Sequence, residues 1–265
     1  MCFEPDARPP DLPPPMAGGA ADGRPLILET GDGNRFRAYA ATPSGSTARA
    51  GFPPGTGMVV IPDIRGLVPY YEELALRFAE AGMAAVAVDL YARSAGSGER
   101  SADFDYREAS GRTTQAGMAA DVGAAVRFLR SDAMGASRGV FTVGFCFGGR
   151  ASLLQAVEDQ GLAGVIAFYG WPVGTSQNDT PAPADVADTF RCPVLALYGG
   201  ADRGIASEAI ETFDRALERA AVDHESITYP GAPHSFFDRL QEEYAEASAD
   251  AWERMVDFVG RHAGP

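Results

Sequence analysis

The chain has 265 residues, 46% of them hydrophobic, which suits one large domain with a substantial core. Its formal net charge of −14 argues against a nucleic-acid partner, which requires a clustered basic surface. Lysine is absent and all 22 positive residues are arginine, so Schiff-base, pyridoxal-phosphate and P-loop chemistry are excluded.

Cys2, Cys146 and Cys192 form an odd set without a CxxC pair. That speaks against a disulfide framework or a thiolate zinc site, so no metal is expected and the compartment is expected to be reducing. No stretch approaches the length of an apolar membrane span, and the first residues lack the charged start and apolar run of a signal peptide. A cytoplasmic protein without membrane contact is expected.

Residues 1–24 are rich in Pro, Ala, Gly and Asp and bring too little apolar surface to fold alone. They read as a flexible N-terminal arm, able to lie against the domain and with Cys2 a bystander in it, before a domain at 25–265. "PLILET" and "RFRAYAA" then alternate around the turn "GDGN", a hairpin. "GMVVIPDI" is an apolar, β-branched run that suits a strand buried on both faces. "YYEELALRFAEAG" spaces Leu74, Phe78 and Ala81 as a helix that stops at Gly82. "MAAVAVDL" is the next buried strand, and "TTQAGMAADVGAAVRFLRS" the next helix. "GVFTVGF" (strand), "GGRASLLQAVED" (helix), "GVIAFYG" and "PVLALYGG" (strands), "SEAIETFDRALERA" (helix), "ESITYPG" (strand) and a final helix near 241–262 complete the series. Strands alternating with helices predict an α/β protein with a mostly parallel sheet covered on both faces. Residues 171–191 form a long, breaker-rich loop, a type that is usually functional.

Ligands of open α/β sheets bind at the carboxyl ends of the strands. Asp63 follows "MVVIP", Asp89 and Tyr91 follow "AAVAV", Cys146 follows "VFTV", Asp202 follows "VLALYGG" and His234 follows "ESITYPGAP". Gly144-x-Cys146-x-Gly148 has the form of a nucleophile elbow, a strained strand-to-helix turn whose neighbours must lack bulk. The helix start behind it favours a thiolate. Alone, each residue has a blander reading: a packed thiol for Cys146, a turn or cap for Asp202, a structural ring for His234. Together, Cys146, Asp202 and His234 follow the nucleophile–acid–histidine order of α/β-hydrolases.

"PDIRG", "VDLYAR", "GFCFGG", "YGGADRGI" and "PHSFFDR" together resemble the dienelactone hydrolase (carboxymethylenebutenolidase) family. The resemblance implies the α/β-hydrolase fold, a mostly parallel twisted sheet of about eight strands with helices on both faces. It implies a triad of Cys146, Asp202 and His234 that cleaves an ester or lactone through a thioester. Asp63 matches the carboxylate that helps to ionise the resting thiol, a glutamate in well-known members. Arg93 in "LYAR" matches an arginine that holds a substrate carboxylate. A second such arginine lies four residues after the histidine, where this chain has Asp238, with Arg239 next to it.

The implied fold would place an oxyanion hole at the backbone N–H groups of Phe147 and Ile64. Arg93, Arg65 and Arg239 are candidates for binding a carboxylate-bearing substrate, and Tyr91 and Trp171 for lining its pocket. Cys192 reads as packing. No cofactor is implied. Two other readings stay open: a broader carboxylesterase or thioesterase on the same scaffold, and a non-catalytic ligand-binding protein. A redox role for Cys146 lacks a nearby resolving cysteine.

Overall fold

The computed structural model describes residues 3–14, 16–44, 51–100, 103–176 and 178–264, so Cys2 lies outside the described residues. Among them, β1 (Ala20–Glu29), β2 (Arg35–Ser44), β3 (Thr56–Ile61), β4 (Ala84–Val88), β5 (Gly139–Phe145), β6 (Gly164–Phe168), β7 (Val194–Gly199) and β8 (His224–Tyr229) form one sheet. Its order is β1-β2-β4-β3-β5-β6-β7-β8. β2 pairs antiparallel with both β1 and β4, and all other pairs are parallel. This is the mostly parallel α/β sheet that the alternation of strands and helices predicts, with the eight strands that the family resemblance implies.

The buried strands read as continuous apolar runs because both of their faces are covered. Along β3, Met58 and Val60 join one core and Val59 and Ile61 the other, as the two-residue period of a strand requires. Helices α1 (Pro69–Glu80) and α7 (Ala245–His262) share the first core, through Tyr71, Leu74 and Phe78 and through Trp252, Met255 and Phe258. Helix α4 (Gln115–Leu129) seals the second with Met118, Val122 and Val126.

Helix α1 shows how local chemistry sets these limits. Pro69 occupies the first turn, where its missing N–H costs nothing. At the other end the N–H groups of Gly82 and Met83 donate to the carbonyls of Ala79 and Phe78. Gly82 has φ 95°, so this is a glycine-dependent Schellman stop.

Two features differ from expectation. Strand β1 begins at Ala20, inside the stretch read as a flexible arm, and the residues before it do more than lie against the domain: Phe3, Ala7, Leu12 and Met16 are buried in its first core. Short helices α2 (Ala92–Ala95) and α3 (Tyr106–Gly111) occupy a region that carries no periodic apolar signal. The remaining helices are α5 (Phe147–Gln155) and α6 (Ser207–Arg219). No helix among the described residues is long and apolar enough to cross a membrane.

Candidate active site

Strand β5 ends at Phe145, α5 begins at Phe147, and Cys146 alone makes the turn, with φ 56° and ψ −115°. A non-glycine residue held there stores roughly 1–3 kcal/mol of strain, which the surroundings must offset. They do so by close packing. A Cβ on Gly144 would lie 1.9 Å from the Gly148 carbonyl oxygen, and one on Gly148 would lie 2.1 Å from that of Pro62. Below the turn, the Thr142 and Ser152 hydroxyls share a hydrogen bond of 2.7 Å, and Ser152 donates to the Ile166 carbonyl at 2.8 Å. β5, α5 and β6 are thereby latched together, and the Cys146 N–H donates to the Phe168 carbonyl at 3.0 Å.

His234 follows β8 and Asp202 follows β7. His234 Nδ1 and Asp202 Oδ2 are 2.6 Å apart, with side chains 7% and 2% exposed. Burial pushes the Asp202 carboxyl up, but the hydrogen bond and charge of His234 and the N–H groups of Gly204 and Ile205 outweigh it, and the group stays below the ordinary carboxylate range. Asp202 therefore stays ionised near neutral pH and holds one imidazole nitrogen. The other, Nε2, is buried and forms no hydrogen bond among the described residues. Tyr169 and Trp171 pack on the ring at centroid distances of 4.8 and 4.9 Å. The Trp171 indole N–H donates to the Gly204 carbonyl at 3.0 Å, which ties the loop after β6 to the aspartate loop. Strain gathers here too, since Tyr169 and Ser235 join Cys146 among the non-glycine residues with positive φ.

The loop after β3 carries Asp63, Ile64 and Arg65. Tyr91, 1% exposed, donates its hydroxyl to the Ile64 carbonyl at 2.6 Å. It thus fixes the Ile64 peptide from behind rather than presenting a hydroxyl to a ligand. Phe147 is the first residue of α5, a position whose N–H has no intrahelical acceptor. Asp63, also 1% exposed, accepts from the Arg65 backbone N–H at 2.9 Å and from its Nε at 3.1 Å. Burial pushes the Asp63 carboxyl up, and Arg65 works against that rise.

Comparison with known proteins decides the family. The model of the dienelactone hydrolase family matches residues 36–263. The chain belongs to the dienelactone hydrolase family.

Its relatives include proteins provisionally named carboxymethylenebutenolidase. That of Salmonella typhimurium is 33% identical over 211 residues, which span 78% of this chain and 77% of that protein. That of Yersinia pestis is 31% identical over 233 residues, 87% of this chain and 85% of that protein. The crystal structure of a provisionally named dienelactone hydrolase from Klebsiella pneumoniae superposes with a TM-score of 0.79. It shares 29% identity and covers 91% of this chain and 99% of its own. This member is accordingly a dienelactone hydrolase-like hydrolase of ester or lactone bonds.

In this dienelactone hydrolase-like protein Cys146, Ile64, Phe147 and Trp171 line one cavity of about 580 Å³. Of the pocket residues expected from sequence, Trp171 is there and Tyr91 is behind the wall. The expected carboxylate-binding arginines are engaged elsewhere. Arg93 is taken up by Asp121 (2.9 and 3.3 Å) and Asp32 (2.7 and 3.2 Å), acids supplied by α4 and by the β1–β2 turn. Those hydrogen bonds raise the Arg93 pKa and hold Asp32 well below the carboxylate range. Arg239 reaches Glu73 and Asp11 at 3.2 and 3.4 Å. Arg65 binds Asp63 and the Glu4 carbonyl. None of the three is among the residues that line the cavity.

The cavity instead contains two arginines that sequence reasoning missed. Arg107, on α3, is exposed and forms no ion pair among the described residues. A signal for α3 was present, because Asp105 caps the Glu108 N–H in the Asp-x-x-Glu pattern of a helix start. Arg150, one turn into α5, is 6% exposed and has no carboxylate partner. Its guanidinium donates to the carbonyls of Trp171, Val173, Gly174, Thr180 and Pro181, and to the Thr180 hydroxyl. The breaker-rich loop after β6 is therefore hung on the helix that starts at the thiol. Arg150→Met should cost about 3 kcal/mol, as charged hydrogen bonds to a buried loop are lost. Thermal unfolding and kcat/KM should fall together, and an unchanged Tm would contradict this account.

The two described thiols differ in setting. Burial pushes the Cys192 thiol up to about 12. It should resist iodoacetamide in the folded protein, whereas Cys146 at the cavity wall should react. Peptide mass mapping after brief alkylation checks this, and labelling of Cys192 before Cys146 would contradict it.

Proposed function

We propose that Cys146, His234 and Asp202 act as a nucleophile, a proton shuttle and its orienting acid. The observation that carries this reading is the His234–Asp202 hydrogen bond on the rim that also carries the Cys146 elbow, with Trp171 touching the histidine and lining the thiol's cavity. In the reaction, the Cys146 thiol gives its proton to His234 Nε2, and its sulfur attacks the carbonyl carbon so that a C–S bond forms and the carbonyl π bond opens onto oxygen. The N–H groups of Phe147 and Ile64 receive the developing oxyanion, a term commonly worth about 3 kcal/mol per donor. The C–O bond to the leaving group breaks as the imidazolium at Nε2 gives that oxygen its proton. Water, deprotonated by the same nitrogen, then splits the thioester and restores the thiol. Asp202 holds the proton on Nδ1 throughout.

Asp63 acts in this reading through the loop it anchors, since Arg65 sits on both of its oxygens. Tyr91 and Asp63 together hold the Ile64 peptide in place.

The substrate we infer is a neutral ester or lactone. Arg93, Arg239 and Arg65 are committed to carboxylates of the protein itself, and Arg150 spends its donors on carbonyls. Ile64, Phe147, Trp171 and Val173 give the cavity an apolar part of its wall, and Arg107 is the one arginine of the described lining left for a ligand charge. The test is the ratio of kcat/KM for a carboxylate-bearing dienelactone to that for a neutral aryl ester at one pH and salt. A ratio near or below one supports the reading. A large ratio that collapses in Arg107→Ala would overturn it and assign the carboxylate to α3.

A further inference from the structure

The N-terminal residues that composition reads as a loose arm reach the cavity. Phe3 is 4% exposed and stacks on Tyr70 at 4.3 Å, with Phe145 and Tyr169 each 6.2 Å away. That anchor sets Glu4 into the cavity wall, where it is the one acid among the described lining residues. The Glu4 carbonyl accepts from Arg65 Nη1 at 2.9 Å, on the loop of the Ile64 oxyanion donor. Four residues on, the Arg8 N–H donates to Asp238 at 3.0 Å, and the Arg8 carbonyl accepts from Arg239 at 3.1 Å, on the loop of His234. Asp238 itself is 3% exposed. Ala7, Pro9, Pro10, Leu12 and Pro13 are buried along the same path. Prolines cost little further entropy to order, so a Pro-rich segment can be held by modest contacts.

We propose that residues 3–13 are a strap that holds Glu4 in the wall of the substrate cavity, with Phe3 as its anchor and Glu4 as the residue that sets how large a group reaches Cys146. The inference deepens the hydrolase reading and rests on Cys146 being the reacting thiol. The segment touches both loops that flank the thiol, so its displacement changes access as well as stability. A purely structural strap would change stability alone.

The test uses the full chain with Phe3→Ala, Phe3→Leu and Glu4→Trp. The first readout is Cys146 alkylation by iodoacetamide and by the bulkier N-benzylmaleimide, followed by peptide mass. The second is kcat/KM for p-nitrophenyl acetate and octanoate. Phe3→Ala should raise the bulky-to-small ratio by about tenfold, Glu4→Trp should lower it by a similar factor, and Phe3→Leu should stay near the parent, as expected where packing against a few atoms decides access. Ratios unchanged in every variant, or moving the same way in the alanine and tryptophan variants, overturn the wall. If Phe3→Ala does not fold, Glu4→Trp at its exposed position carries the test with the same two outcomes. Alkylation needs no turnover. Opposed ratios without ester hydrolysis would keep the wall and remove the hydrolase reading. Hydrolysis with flat ratios would do the reverse.

Discussion

Replacing Cys146 by alanine should abolish ester hydrolysis, lowering kcat by about 10⁴-fold or more, as removal of a covalent nucleophile does in comparable triads. The fold should survive. Alanine suits a buried site and accepts the strained backbone no worse than cysteine, and the Thr142–Ser152–Ile166 latch and the flanking glycines remain. A Tm near the parent value together with lost turnover separates chemistry from collapse. Bound ester should still be detectable, because Trp171, Phe147 and Ile64 are untouched. If kcat were unchanged, the thiol would be packing and the elbow a coincidence of form. If neither parent nor variant turned over esters and both bound them equally, the ligand-binding reading would replace the enzyme.

Gly148→Ala is the second large effect, and its cause is steric. The new Cβ would meet the Pro62 oxygen at 2.1 Å and the Ile61 oxygen at 2.3 Å, both backbone atoms that cannot rotate away. Helix α5 must then back off the end of β3, and the Phe147 N–H and Cys146 move with it. Overpacking of this kind costs about 3 kcal/mol or more. A misplacement of about 1 Å at reacting groups costs on the order of 100-fold in rate even in the molecules that stay folded. Gly260→Ala is the matched control. Nothing lies within 4 Å of its Cβ, and alanine in a helix stabilises by about 1 kcal/mol over glycine. Thermal unfolding and kcat/KM on both variants decide the matter. A Gly148→Ala protein with parental Tm and rate would contradict the geometry of the elbow.

The sheet was legible because its determinants are local. Strands such as Ala84–Val88 are apolar at every position, which only a strand covered on both faces tolerates. The elbow was legible because glycine is required at two fixed offsets from the turn residue, and the contacts above give the reason. What sequence could not supply were partners fixed by tertiary distance. Arg93 stands in its motif, yet its acids come from positions 61 and 28 residues away, so their claim on it appears only in the fold. Residues 3–13 look disordered by composition because they have no core of their own. Their partners, Tyr70, Phe145 and Tyr169, become one surface only after α1, β5 and β6 have packed. Helix α3 is one and a half turns long, too short for a periodicity to register, although its cap was written in the sequence.

The most direct test of the central claim is the mass of the enzyme quenched in acid during turnover of a p-nitrophenyl ester. The account predicts one added acyl mass, located on the peptide that contains Cys146 and removed by hydroxylamine. It also predicts that Asp202→Asn will accumulate the adduct slowly, with kcat down by about 10³ to 10⁴, since His234 loses the group that sets its tautomer. Continued turnover with no acyl group on that peptide, or with the acyl group on another residue, would contradict it.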